Sequence, residues 1–134
     1  MNIALVAQDA KKELMVRLCI AYSPVLSKHT LCATAATGKL VSEASGLRIV
    51  QFLGGSQGGY HQIASRISCG EIDMTMFFRD AAHPELMSQA QDDILRLCDL
   101  HTIPLATNIA TAEALIHALQ RGDMDWINLG RPML

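Results

Sequence analysis

The stretch Ile3-Ala4-Leu5-Val6-Ala7-Gln8-Asp9-Ala10-Lys11-Lys12 decides how the chain is read. Five consecutive apolar residues fit a strand covered on both faces. The polar turn after them leads into Leu14, Val16, Leu18, Ala21 and Tyr22, which recur at helical spacing. Working outward, apolar runs at 3–7, 30–33, 48–53, 74–78 and 104–106 predict five strands. Between them, Ile63, Ala64 and Ile67, then Ile94, Leu95, Leu97 and Cys98, then Ala112, Leu115, Ile116 and Leu119 predict further helices, and a shorter one spans 39–44. Gly46, Gly70 and Gly122 stand where glycines end helices. Strands alternating with helices are the signature of a sheet covered by helices on both faces, so the class is α/β with a five-stranded, mainly parallel sheet. One domain over 1–127 is expected. Residues 128–134, with Gly130 and Pro132, read as a C-terminal tail.

Composition narrows the function. The 134 residues carry 11 Lys+Arg against 13 Asp+Glu without a basic cluster, which argues against a nucleic-acid partner. No apolar run approaches the roughly 18 residues of a membrane span, and Ile3 opens an apolar stretch with no basic leader before it, so a cytoplasmic protein is expected. Charged residues are only 18% and hydrophobic ones 50%, more apolar surface than a small monomer readily hides, which points to a homo-oligomer. Cys19, Cys32, Cys69 and Cys98 show no CxxC spacing and are read as reduced core thiols, and no Cys/His/Asp set has metal-ligand spacing. No metal or cofactor is expected.

In an open parallel sheet ligands bind beyond the carboxyl ends of the strands, so the residues after each run carry the information. Gly54-Gly55-Ser56-Gln57-Gly58-Gly59 brings backbone N–H groups to a helix start, where an anion can be held; the same glycines equally fit a tight βα turn. Thr34, Thr37 and Ser56 add hydroxyl donors, and Lys12 adds a point charge or else a solvated helix residue. Asp9 and Asp80 stand at strand ends, as ligand-positioning carboxylates or as helix caps. His61 and His83 are candidate bases on the same rim, or surface histidines.

Nearly the whole chain resembles the methylglyoxal synthase family, most closely in 1–7, 18–22, 38–47, 70–80 and 95–126, the last containing Ile103-Pro104-Leu105-Ala106-Thr107-Asn108-Ile109-Ala110-Thr111. The resemblance implies a small Rossmann-like, flavodoxin-like domain assembled as a homohexamer. It also implies elimination of phosphate from dihydroxyacetone phosphate through an enediolate, with no cofactor. The motifs depart from the family pattern at particular places. V-A-H-D-x-x-K reads Val6-Ala7-Gln8-Asp9-Ala10-Lys11-Lys12, and A-T-G-T-T-G reads Ala33-Thr34-Ala35-Ala36-Thr37-Gly38. S-G-P-x-G-G-D-Q-Q reads Gly54-Gly55-Ser56-Gln57-Gly58-Gly59-Tyr60-His61-Gln62, so Tyr60 takes the place of the family's proton-abstracting Asp. Counting from Asp80 to Arg96 without a gap puts Met87 at the family's active-site His and Ala90 at an Asp.

The positions that hold phosphate in the family are largely kept: Lys12, Thr34, Thr37 and the Gly55 amide, with a hydroxyl lost at Gly54. The proton-transfer positions are mostly changed, and loss of a well-placed general base costs roughly a hundred- to ten-thousand-fold in rate. The expectation is a binder of a small phosphorylated metabolite or nucleotide-derived signal, held by Gln8, Lys12, Thr34, Thr37, Gly54, Gly55, Ser56 and Tyr60, whose ring can take a stacked base. The alternative is an active synthase, in which Asp9 and Asp80 are retained and His61 or His83 supplies a base. A third reading is an inactive subunit that assembles with an active relative. Arg131, in the tail, is left without a role.

Overall fold

The computed structural model describes residues 1–128. Five strands, β1 (Asn2–Ala7), β2 (Thr30–Ala33), β3 (Ile49–Gln51), β4 (Met74–Phe78) and β5 (Leu105–Ala106), form one sheet in the order β3-β2-β1-β4-β5. Every pairing is parallel, so the sheet expected to be mainly parallel is entirely so; Leu5 faces Ala33 on one side and Met76 on the other. Six helices connect and cover it: α1 (Lys12–Ala21), the four-residue α2 (Ser23–Leu26), α3 (Ala35–Ser45), α4 (Gly59–Ser68), α5 (Gln89–Leu100) and α6 (Ile109–Arg121).

β1 shows why the sheet is central. Its residues are all buried, and they divide by parity. Ile3, Leu5 and Ala7 join Met15 and Leu18 of α1, Val41 of α3 and Ile116 of α6, whereas Ala4 and Val6 join Ile63 and Ile67 of α4 with Ile94 and Cys98 of α5. Two cores thus lie on opposite faces, with α1, α3 and α6 over one and α4 and α5 over the other. Burial of a large aliphatic side chain contributes about 1.5–3 kcal/mol, and both faces collect many of them.

Several expectations are corrected. The run at 48–53 keeps only three residues as strand, because β3 is the sheet edge and its Val50 and Gln51 are exposed. The helix expected at 39–44 starts at Ala35, immediately after β2, and ends at Gly46 with φ +76, the left-handed conformation that favours glycine. Cys19, Cys32 and Cys98 are buried as expected, and burial pushes the Cys19 and Cys32 thiols up to about 12, but Cys69 at the end of α4 is exposed. Asn128, placed in the tail by sequence, closes a 3-10 turn at Asp125–Asn128. Arg131 and the rest of that tail lie outside the described residues. Among the described residues, no helix is long and apolar enough to cross a membrane.

Candidate functional site

The strand order reverses between β1 and β4: the chain runs outward through β2 to β3, then returns to β4 on the other side of β1. Parallel sheets open a crevice at such a point, beyond the carboxyl ends of the strands. A cleft of about 740 Å³ lies there. Its walls come from the turns after β1, β2 and β3 and from the start of α5.

The first wall is built around Lys12, at the start of α1. Its side chain is only 18% exposed and forms an ion pair with the fully exposed Asp9. That hydrogen bond, with the ammonium charge behind it, holds the Asp9 carboxyl below its usual range, so Asp9 is ionised at neutral pH. Thr34 caps the start of α3 with extended backbone but makes no side-chain capping bond, so its hydroxyl is left for the cleft. Beyond it, Gly54, Gly55 and Ser56 also line the cleft. Two features hold this turn. A Cβ on Gly59 would fall 2.1 Å from the Leu53 carbonyl oxygen, so the backbone there packs too closely for any side chain. A Cβ on Gly55 would fall 2.4 Å from the Tyr60 ring, which therefore lies directly against the turn.

Among the described residues, the opposite wall is made of uncharged side chains. Gln8, 6% exposed at the end of β1, accepts a hydrogen bond from the Asp80 backbone N–H at 2.6 Å. Its Nε2 donates to Gln91 Oε1 and lies against Met87 Sδ, both at 3.3 Å. Ser88 and Gln91 form a capping box at the start of α5: Ser88 N–H donates to Gln91 Oε1 at 3.0 Å, and Gln91 N–H donates to Ser88 Oγ at 3.2 Å. Ser88, Ala90 and Gln91 reach the cleft.

The structure thus brings together Gln8, Asp9, Lys12, Thr34, Gly54, Gly55, Ser56 and Tyr60. It keeps other candidates off the walls. Asp80 and His83 bind each other, His83 Nδ1 to Asp80 Oδ2 at 2.9 Å, and neither lines the cleft. His61 is exposed on α4, also away from it. Thr37 is 1% exposed in the first turn of α3; its hydroxyl is the one buried side-chain oxygen or nitrogen among the described residues that has no hydrogen-bond partner. Sequence reasoning missed Ser88 and Gln91. The signal was present as Ser-x-x-Gln, the capping-box spacing, eight residues past the end of the β4 turn's Asp80.

Known proteins share this architecture and about half of this sequence. Methylglyoxal synthase of Caldicellulosiruptor saccharolyticus is 54% identical over 134 residues, covering 100% of this chain and 95% of that protein. The chain belongs to the methylglyoxal synthase family. Methylglyoxal synthase of Oceanobacillus iheyensis is 51% identical over 126 residues, 94% of this chain and 90% of that one. The crystal structure of methylglyoxal synthase from Elizabethkingia anophelis NUHP1 superposes with a TM-score of 0.79 at 36% identity, over 86% of this chain and 76% of the other. No model of a protein family matches the chain. In this member of the methylglyoxal synthase family, the charged groups that the described residues bring to the cleft are one amine and one carboxylate, Lys12 and Asp9, beside hydroxyls, amides and glycine backbone.

Proposed function

We propose that the cleft takes dihydroxyacetone phosphate and that the chain converts it to methylglyoxal and phosphate, the reaction that the family resemblance implies. The observation that carries this reading is full-length identity of 54% to a methylglyoxal synthase, joined to a cleft with an anion-binding wall. The comparisons therefore favour the working enzyme, which the sequence reading placed second to a binder.

The phosphate belongs on the first wall. Lys12 supplies the charge, Thr34 and Ser56 supply hydroxyls, and the Gly54–Gln57 turn supplies backbone donors. The buried Thr37 hydroxyl sits one helical turn beyond Thr34. An unsatisfied group of that kind costs about 1–3 kcal/mol, and it lies behind the cleft wall rather than on it. Asp9 is the carboxylate on the cleft wall, so it is the base in this reading. A phosphate taking over Lys12 frees Asp9 from the cation that lowers its pKa, and so makes it a better acceptor once substrate is bound. Asp9 then removes the proton from the hydroxyl-bearing carbon beside the carbonyl. The resulting enediolate expels phosphate as the C–O bond at the other carbon breaks, and the enol tautomerises to methylglyoxal.

Two observations support the second reading, a protein that binds or sequesters a phosphorylated metabolite or a nucleotide-derived signal without turning it over. Tyr60 lies on the turn where the family resemblance expects the carboxylate base, and Met87 faces Gln8 where it expects a histidine. Assembly as a homo-oligomer, a hexamer by the same resemblance, belongs to the proposal too. Leu40, Val50 and Leu53 leave large apolar side chains exposed near the β3 edge.

The deciding experiment measures phosphate and methylglyoxal released from dihydroxyacetone phosphate by the purified protein, with Asp9→Asn and Lys12→Ala alongside. Turnover that both substitutions abolish supports the synthase. Saturable binding without turnover establishes the second reading instead.

A further inference from the structure

Among the described residues the wall opposite Lys12 carries no charged group, yet the elimination develops negative charge on the carbonyl oxygen. We propose that the side-chain amide of Gln91 donates a hydrogen bond to that oxygen, in the bound ketone and in the enediolate that follows. The inference rests on the reading of the cleft as a triose phosphate site and deepens it.

Two backbone groups fix which way the amides point. Ser88 N–H can only donate, so the Gln91 atom 3.0 Å from it is the oxygen. Asp80 N–H can only donate, so the Gln8 atom 2.6 Å from it is likewise the oxygen, and the Gln8 nitrogen is the atom that meets Gln91 Oε1 at 3.3 Å. The Gln91 oxygen therefore accepts twice, from Ser88 and from Gln8. Its –NH2 makes no hydrogen bond among the described residues, and it is not sealed away either, since the only such buried, unpartnered side-chain atom is the Thr37 hydroxyl. Gln91 is 6% exposed and lines the cleft. A nine-tenths buried amide whose oxygen is doubly held and whose nitrogen is unused is a donor set in place before the ligand arrives.

Such preorganisation suits a developing oxyanion. A donor whose partners already hold it needs no reorganisation when charge appears, and removing one donor of this kind typically costs about a hundred- to a thousand-fold. The Ser88 hydroxyl accepts the Gln91 backbone N–H at 3.2 Å, which leaves its own proton free to rotate. Gln8 has no donor to spare, because its nitrogen is spent on Gln91 and Met87. Gln91 is therefore the donor on this wall whose direction is fixed by the partners of its own oxygen.

The test compares two probes, inorganic phosphate and phosphoglycolohydroxamate, whose hydroxamate mimics an enediolate beside a phosphate. Calorimetry measures both on the wild type and on two variants. Gln91→Met keeps the length of the side chain and removes the donor. Gln91→Glu keeps an oxygen for Ser88 N–H, and so the capping box, while replacing the –NH2. The expected result is that Gln91→Met binds phosphate within about twofold of wild type but binds the hydroxamate about a hundredfold more weakly. Gln91→Glu is expected to lose the preference for hydroxamate over phosphate as well, with an unchanged circular dichroism spectrum. Equal weakening of both probes in both variants would mean that Gln91 only shapes the helix start, and would overturn the proposal. So would unchanged hydroxamate binding. A wild type that binds phosphate but shows no preference for the hydroxamate removes the role of Gln91 while leaving the phosphate wall intact, and a wild type that binds neither overturns the reading of the cleft itself.

Discussion

The two walls of the cleft are held by different means. On the Lys12 side, the turn from Gly54 to Gly59 is fixed by backbone packed against backbone, with Gly59 seated on the Leu53 carbonyl. On the Gln91 side, Gln8, Gln91 and Ser88 are fixed by one another's side chains. A wall set by backbone geometry tolerates replacement of nearby side chains, because its donors are peptide groups. A wall set by a side-chain relay passes each replacement to the next member.

The largest test of this contrast is Gly59→Ala. Its new Cβ has no room beside Leu53, and we expect a loss of about 3 kcal/mol of stability in urea unfolding, together with loss of phosphate binding. Lys12→Ala should spare the fold and weaken inorganic phosphate roughly 10- to 150-fold by calorimetry, the worth of a hydrogen bond to a charged group. Gln8→Leu should do the reverse. It leaves the Asp80 N–H and the Gln91 oxygen each short of a partner, so stability falls by about 1–3 kcal/mol while phosphate affinity stays within about twofold. An equal effect of Gln8→Leu on phosphate would show that the walls are not independent. The smallest effect is electrostatic. Asp9 has a carboxyl depressed by Lys12, so the stability it contributes is present above its unfolded value of 3.8 and is lost as pH falls through the lower folded value. Because Asp9 is exposed, the difference between wild type and Asp9→Asn should be slight at pH 6 and vanish in acid unfolding below that window.

The strands and most helices were legible because burial on both faces leaves apolar runs such as Ile3–Ala7 and Met74–Phe78, which need no tertiary information to recognise. The run at 48–53 misled by length: its apolar residues include exposed Val50 and Leu53, and an edge strand lacks the second neighbour that would extend it. Within the site, the rule that ligands gather after strands found Gln8, Lys12, Thr34 and the glycine turn, all of which enter the cleft directly from a strand end. Asp80 and His83 do not line the cleft, and their mutual hydrogen bond could not be read from a spacing of three residues alone. The rule fell short at Gln91, which returns to the cleft only after a loop, a 3-10 turn at Pro84–Leu86 and the start of α5. A helix cap is a local signal, but its arrival beside Gln8 depends on β1 and β4 being neighbours.

The unpartnered hydroxyl of Thr37 has a consequence for how the empty protein should evolve. Valine has the same shape without the oxygen, so a Thr37→Val chain sheds a standing penalty of the folded state. Selection for durability alone would favour that exchange. A single buried atom thus marks a place where the fold can be made more durable without altering a side chain of the cleft wall.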